Sequence, residues 1–405
     1  MARAGESATA LNRRTIAIAG GGIAGLTAAL ALQKLGYRAL VLEQRPQPAI
    51  EGAGIQISPN AFHVLTELDL GRALISAGSM TPSVTLHDGL SGEQLNSFDL
   101  GETSLERYGA PYCVLHRADL LEILTTACAA SPEIEIRYGE SVNDAAQHAR
   151  GVTVLVGKDN HFQEITARAL VGADGVNSAA RNLVPGAQKP AFDGHIAWRG
   201  MVAMDDVPEQ LQTNTTNVWL GPAAHIVHYP VRQASIMNVV AILPWRSGKP
   251  PNRWIANVGA EERARPFAAW HPALKQLIGR QSSWGGWPIH AVKSVGSMNM
   301  GNICLIGDAA HAMLPYAAQG GACAIEDAGF LAAMLTRADN DIPVAFQEFS
   351  RHRRRRISRI LKLARANQMI YHASGPFRTA RNLALKFAPQ NAMQRRMDWL
   401  YSHRI

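Results

Sequence analysis

Cysteine is scarce in this chain, and the little there is stands scattered. Cys113, Cys128, Cys304 and Cys323 are the four in 405 residues, and none has a CxxC or CxH spacing. This excludes a disulfide scaffold and a cysteine-based structural metal site, and it suits a reducing cytoplasm. Clean apolar runs of membrane length are also missing. The nearest approach, Thr15 to Leu35 behind Arg13-Arg14, is broken by three consecutive glycines and by Gln33-Lys34. It then passes straight into another apolar strand pattern, so neither an export signal nor a membrane anchor is expected. Internal repeats and low-complexity tails are absent as well. Charged residues amount to 18%, and bases outnumber acids to leave a net charge of +8.

That positive balance is carried mostly by arginine. Its densest cluster is Arg351-His352-Arg353-Arg354-Arg355-Arg356, inside a helical pattern with Phe346, Phe349, Ile357, Ile360, Leu361 and Leu363. No interleaved aromatics accompany it, so it reads as a solvated helix face rather than a nucleic-acid arm. A basic surface also suits anions such as a nicotinamide cofactor or an aromatic acid.

What the chain does have begins with a strand, a glycine turn and a helix. Thr15 to Ala19 is uniformly small or β-branched. Gly20-Gly21-Gly22-Ile23-Ala24-Gly25 follows, and an amphipathic helix runs from Ile23 to Leu35, with Gly36 as its stop. Arg38 to Glu43 is a second apolar strand, which makes a right-handed βαβ unit with parallel strands. Gly20 permits the tight turn, Gly22 lets the backbone approach a pyrophosphate, and Gly25 lets helix and strand pack closely. An acid at Glu43, rather than a base, selects FAD or NAD over NADP, and Arg45 falls beside the same strand end.

The rest divides by pattern. Residues 1–13 read as a disordered lead. Residues 14–80, 110–180 and 295–340 read as a nucleotide-binding domain, with Ala169 to Asp174 and Ile303 to Ile306 as further buried strands. Alternating segments such as Thr216–Leu220, Ile226–Tyr229 and Ser235–Leu243 predict an antiparallel sheet in an inserted domain, residues 81–109 and 181–294. Residues 341–405 are helical.

Three motifs then stand in order: GGGIAGL with Glu43, GADGVNSAAR at Gly172–Arg181, and GDAAHAMLPYAAQGG at Gly307–Gly321. On these the chain resembles the single-component FAD-dependent aromatic hydroxylases, a flavoprotein monooxygenase family, over nearly its whole length. GAGIQISPNA (Gly52–Ala61), AWRG (Ala197–Gly200) and LGPAAHIVHYPV (Leu220–Val231) are similar to the branch of salicylate, 3-hydroxybenzoate 6- and 6-hydroxynicotinate hydroxylases. The resemblance implies an α/β fold: a Rossmann-like FAD-binding domain, an inserted substrate domain with an antiparallel sheet, and a helical C-terminal region. It implies non-covalent FAD, NADH or NADPH as co-substrate, and a small aromatic substrate hydroxylated with O2 through a flavin C4a-hydroperoxide. No nucleic acid, no stable membrane association, a cytoplasmic monomer or homodimer, and a role in aromatic catabolism complete the expectation.

Residue by residue, the motifs carry distinct duties. Asp308, just past a buried strand, can accept hydrogen bonds from ribityl hydroxyls. Gly320, Gly321 and Ala322 open a helix whose dipole favours negative charge on a reduced flavin. Asp174 lies near the pyrophosphate in the family, and equally could cap its own turn. Arg117 reaches the cofactor in the family, or else merely opens a surface helix. His225 and Tyr229 are four apart on one strand and so face one side, where relatives line their substrate pocket; His228 faces away and is the rival. Pro315, Tyr316 and Gln319 lie beside the flavin ring in the family, and Arg199 is either an anion clamp or a strand pin. Two positions depart from the pattern: Ala312 replaces a usual proline and Tyr316 a histidine of some relatives. No second glycine triplet follows a strand, so NAD(P)H is left a transient surface site. The alternative is a flavoprotein of the same fold that tailors a natural product, acting on a larger or non-acid substrate.

Overall fold

The computed structural model describes residues 14–48, 53–158, 161–246, 248, 255–256, 264–280 and 284–405. The expected lead at 1–13 and Gly52 lie outside the described residues. The fold starts as the pattern predicts: β1 (Thr15–Ala19), α1 (Ile23–Gln33), β2 (Arg38–Glu43). β3 (Gly54–Ile57) and α2 (Pro59–Glu67) follow, then β4 (Ser83–Asp88), β5 (Gln94–Asp99), β6 (Cys113–His116), α3 (Arg117–Ala129) and β7 (Ile134–Tyr138). After a three-stranded meander over residues 141–167, β8 (Ala169–Gly172) returns to the first sheet.

β9 (Ala191–Ala203), β10 (Thr216–Gly221), β11 (Ala224–Val231), β12 (Ile236–Pro244), β13 (Ile255–Ala256) and β14 (Gly285–Ala291) belong to the second sheet. β15 (Asn299–Met300) and β16 (Ile303–Leu305) lead back, and four helices complete the chain: α4 (Gly320–Arg337), α5 (Ile342–Tyr371), α6 (Gly375–Phe387) and α7 (Gln390–Tyr401).

Two sheets organise the described residues. One has the order β15-β16-β8-β1-β2-β7; β16, β8, β1, β2 and β7 run parallel, and β15 is an antiparallel edge. β1 is buried throughout, which explains its unbroken apolar run. The other is eight-stranded, β13-β14-β9-β12-β11-β10-β4-β5, antiparallel except where β10 pairs β4. Residues 83–99 and 191–291 thus share a sheet, although the glycine-turn sheet takes β7 and β8 from between them.

Strand alternation sorts β11 between two environments. Ile226 joins an outer core with Trp219, Trp270, Leu274 and Trp284, and His228 lies beside Trp219. His225, Val227 and Tyr229 point the other way, into the cleft between the two sheets. Among the described residues no helix is long and apolar enough to cross a membrane. All four cysteines are buried and unpaired.

Candidate active site

A cavity of about 420 Å³ fills that cleft. Its floor is the glycine turn (Gly22, Ile23, Ala24) and the start of α4 (Gly320, Gly321). Its walls include β3, β11, Arg117, Arg199 and Asp308. The volume falls within the ordinary range of cofactor sites.

The turn is held by its own neighbourhood. Gly20 N–H donates to Leu42 O at 2.8 Å, and Gly21 N–H to Glu43 Oε2 at 2.8 Å. Glu43 Oε1 accepts from Arg45 N–H at 2.9 Å. Each carboxylate oxygen can accept a second bond, so Glu43 closes the turn and keeps capacity for a ribose hydroxyl. A Cβ on Gly25 would lie 1.9 Å from the Gly20 carbonyl oxygen, whereas one on Gly22 or Gly320 would meet no atom within 4 Å. Gly25 and Gly20 therefore shape the turn without lining the cavity, and Gly22 and Gly320 form an open cradle within it.

Charge in the cavity is lopsided. Burial lowers the pKa of Arg117, repulsion from Arg199 and Arg45 adds to this, and Asp308 and Glu43 oppose it. Burial likewise lowers that of Arg199, whose guanidinium sits 5.3 Å from the Trp287 ring centre and whose Nε has no hydrogen-bond partner among the described residues. Asp308 is exposed to the cavity, and the protein around it raises its pKa by desolvation against the pull of His311, Arg117, Arg181 and Arg199. Two guanidiniums, Arg117 and Arg199, against the single carboxylate of Asp308, beside a glycine cradle at two helix N-termini, fit a dianionic pyrophosphate. On these grounds the residues present fit FAD.

The GDAAH turn is anchored from behind. Asp327 Oδ2 accepts Gly307 N–H at 2.8 Å and lies 2.6 Å from His311 Nε2. Arg353 donates to Asp327 and Glu326, both at 2.7 Å, and Arg356 also grips Glu326. Arg353 is 1% exposed. This corrects the solvated-face expectation: Arg353 and Arg356 are internal, while Arg351, Arg354 and Arg355 face water.

Three expected site residues are reassigned. Gln319 is buried and tied to Ser58 Oγ at 3.0 Å and Asn60 Nδ2 at 3.1 Å, so its side chain belongs to the α2–α4 contact and not to a substrate ring. Asp174 Oδ2 accepts Ala179 and Ala180 N–H at 2.8 and 3.0 Å; it caps its turn, and only its neighbours Ala173 and Gly175 line the cavity. Ala322 is fully buried inside α4, behind Gly320 and Gly321.

Beyond Pro315 lies a smaller pocket of about 160 Å³. It shares Gln56, His225, Val227, Pro315 and Ala318 with the first, so the two cavities meet there. Tyr112, Tyr316, Tyr371 and Tyr401 supply aromatic walls, and Arg396 of α7 stands at the rim. Burial pushes the pKa of each of these tyrosines up, that of Tyr371 to about 12, with Arg396 opposing the rise at Tyr371. His225 is 2% exposed, and burial followed by the fields of His372 and His195 lowers its pKa well below the usual imidazole value. Its Nδ1 lies 2.9 Å from His372 Nε2. Tyr229 hydrogen-bonds Gln56 and feels Arg199, and burial raises its pKa.

His372, Arg396, Tyr112 and Tyr371 escaped the sequence reading. Gln56 lay within a segment that the resemblance singled out, but no local pattern marks the others as lying at or beside a pocket.

Residues 13–362 match the family described as FAD binding domain. A 3-hydroxybenzoate 6-hydroxylase of Polaromonas naphthalenivorans (strain CJ2) is 35% identical over 391 residues, covering 96% of each chain. A 6-hydroxynicotinate 3-monooxygenase of Bordetella bronchiseptica is 29% identical over 366 residues, covering 89% of this chain and 93% of its own. Klebsiella pneumoniae HpxO, solved with FAD and uric acid, superposes with a TM-score of 0.83 at 26% identity, over 96% of each chain.

Proposed function

Because the chain belongs to the FAD-binding-domain family of flavoprotein hydroxylases, we propose that it is an FAD-dependent monooxygenase that uses NAD(P)H and O2 to hydroxylate a small aromatic acid bearing a phenol-type hydroxyl. One observation carries this reading. A dinucleotide-sized cavity opens, at Pro315 and Ala318, onto a ring-sized pocket with aromatic walls, and a neutral histidine stands on the shared wall.

Gly22, Gly320 and Gly321 leave room for the cofactor's backbone contacts, Arg117 and Arg45 supply positive charge for its phosphates, and Asp308 supplies acceptors for hydroxyls. Arg199, which feels both Tyr229 and Asp308, adds positive charge to the wall of the larger cavity. When bound, FAD supplies hydride acceptance and oxygen activation, which no side chain provides.

The chain's own part is acid–base chemistry and exclusion of water. Aromatic hydroxylation is helped by removing the phenol proton, which makes the ring electron-rich. His225, neutral near pH 7, is placed to take that proton. The tyrosines keep their own protons and close the pocket. Arg396, at the rim, pairs with a ring carboxylate and sets the substrate's orientation. The substrate named in the Polaromonas relative carries both groups, a phenol and a carboxylate. NAD(P)H binds transiently at the basic surface.

The test is direct. Aromatic acids are screened for stimulation of NAD(P)H oxidation by the FAD-loaded protein, with product and peroxide both measured. The His225→Ala variant is expected to lose about 10²-fold or more in hydroxylation while retaining FAD. Unchanged turnover and coupling in that variant remove His225 from the reaction.

A further inference from the structure

The pocket histidine does not stand alone, and its partners lead outward. His225 on β11 meets His372, the residue just past the end of α5, with the Nδ1–Nε2 separation of 2.9 Å. The His372 ring lies 5.2 Å, centre to centre, from that of His195 on β9. His195 Nδ1 lies 2.9 Å from Asp193 Oδ2 on the same strand. Gln368, one turn before His372, donates to Asp193 Oδ2 at 2.7 Å and reaches the Tyr316 hydroxyl at 3.3 Å. Exposure rises along the chain, from 2% at His225 to 19% and 22% for the side chains of His195 and Asp193. Three elements distant in sequence thus converge to place a line of proton carriers between the ring pocket and water.

We propose that His372 is a relay residue that passes the substrate's phenol proton from His225 toward His195, Asp193 and solvent. The inference rests on the hydroxylase reading above. The step balances without any further reagent. The phenol O–H breaks and its proton goes to His225 Nε2; the Nδ1 proton of His225 moves to His372 Nε2; the Nδ1 proton of His372 leaves to the outer groups or to water. The phenolate stays in the pocket, and each imidazole ends neutral with its tautomer exchanged. Imidazole suits this because its two nitrogens accept and donate on opposite edges.

Other titratable groups face the pair and do not compete. Tyr316 and Tyr371 pack on the His225 ring at 5.2 Å each, and burial holds both phenols protonated. His195 and Asp193 are the titratable neighbours on the outer side. Burial and the nearby His195 lower the His372 pKa to about 4, so at neutral pH it holds no extra proton and is free to conduct one.

The experiment separates proton transfer from catalysis. FAD-loaded enzyme is mixed with 3-hydroxybenzoate, without NAD(P)H, and the phenol-to-phenolate absorbance change is followed by stopped flow. His372→Gln, which keeps a hydrogen bond but cannot relay, is expected to slow ionisation by about 10²-fold with substrate affinity and FAD content unchanged. In His372→Ala, added imidazole is expected to restore much of the rate, a rescue that a purely structural role would not permit. An unchanged rate in His372→Gln, or no rescue in His372→Ala, overturns the relay. If His225→Gln also leaves ionisation unchanged, or if the unmutated enzyme gives no ionisation signal, the hydroxylase reading of the pocket fails instead.

Discussion

At the scale of the residue, two glycines three positions apart answer to different forces. Gly25 is fixed by packing: its missing Cβ would sit 1.9 Å from a carbonyl oxygen of the turn it follows. Gly22 has room around it and an extended backbone, φ −85° and ψ −172°, that any residue adopts. A side chain there would take the space left for the ligand. Gly25→Ala is therefore expected to unfold the turn, lowering the melting temperature and abolishing FAD retention. Gly22→Ala should leave apoprotein stability within about 0.5 kcal/mol and still lose FAD affinity severalfold or more. Thermal melts of the apoproteins beside flavin-fluorescence titrations separate the two. A large destabilisation in Gly22→Ala would mean that its surroundings are tighter than the geometry indicates. The same scale holds Arg396. Replacing it with Met keeps the length and apolar stem of the side chain but removes the charge. The expected result is a raised KM for a carboxylated substrate, with little change for the matching phenol lacking the acid.

At the scale of the element, α4 and α5 meet through charge rather than apolar surface alone. Glu326 and Asp327 on α4 are fully buried, as is Arg353 on α5, and Asp327 also holds the Gly307 amide. Coulombic attraction from Arg353 and bonding to Arg356 outweigh burial and hold the Glu326 carboxyl down at about 2. Removing one member strands the others: Arg353→Met is expected to cost about 3–5 kcal/mol and to weaken FAD retention through the loosened Gly307 turn. Arg354→Ala, one residue on but exposed, should stay within about 0.5 kcal/mol. Urea melts of the pair check this, and equal effects would return the run to a solvated face. The sequence did hold a signal for the distinction. Phe349, Arg353 and Ile357 are spaced by four, so Arg353 lies within the apolar stripe of α5 and not opposite it. Reading the arginines as one block concealed that register.

At the scale of the whole molecule, legibility followed contact distance along the chain. The βαβ start, the return strands at Ala169 and Ile303 and the antiparallel sheet were readable because each is fixed by neighbouring residues. The ring pocket was legible only at His225 and Tyr316, through the resemblance: Gln56, Tyr112, His225, Tyr316, Tyr371 and Arg396 come from six separate segments, and only the tertiary fold makes them neighbours. That assembly carries a cost in acid. His228 is fully buried with neither ring nitrogen hydrogen-bonded among the described residues, and burial lowers its pKa to about 3. His372 and His403 are lowered to about 4, and burial holds His225 well below the usual value. An unfolded imidazole titrates near 6.5, so between that value and the folded pKa the unfolded chain binds more protons. Stability therefore rises with pH across this window and falls as pH drops below about 6.5. Glu326 acts in the same sense: its folded pKa is depressed, so its contribution is present above about 4.5 and is lost as pH falls toward 2. The expected outcome is a steady loss of stability from pH 6.5 downward and little change from 7 to 8. His228→Leu should remove close to one proton from the uptake on unfolding between pH 6 and 5, about 1.4 kcal/mol per pH unit in slope. Urea melts of both proteins across that interval measure the difference. Parallel curves would mean that His228 finds a proton-sharing partner or water in the folded state, and that the acid sensitivity lies with the relay histidines instead.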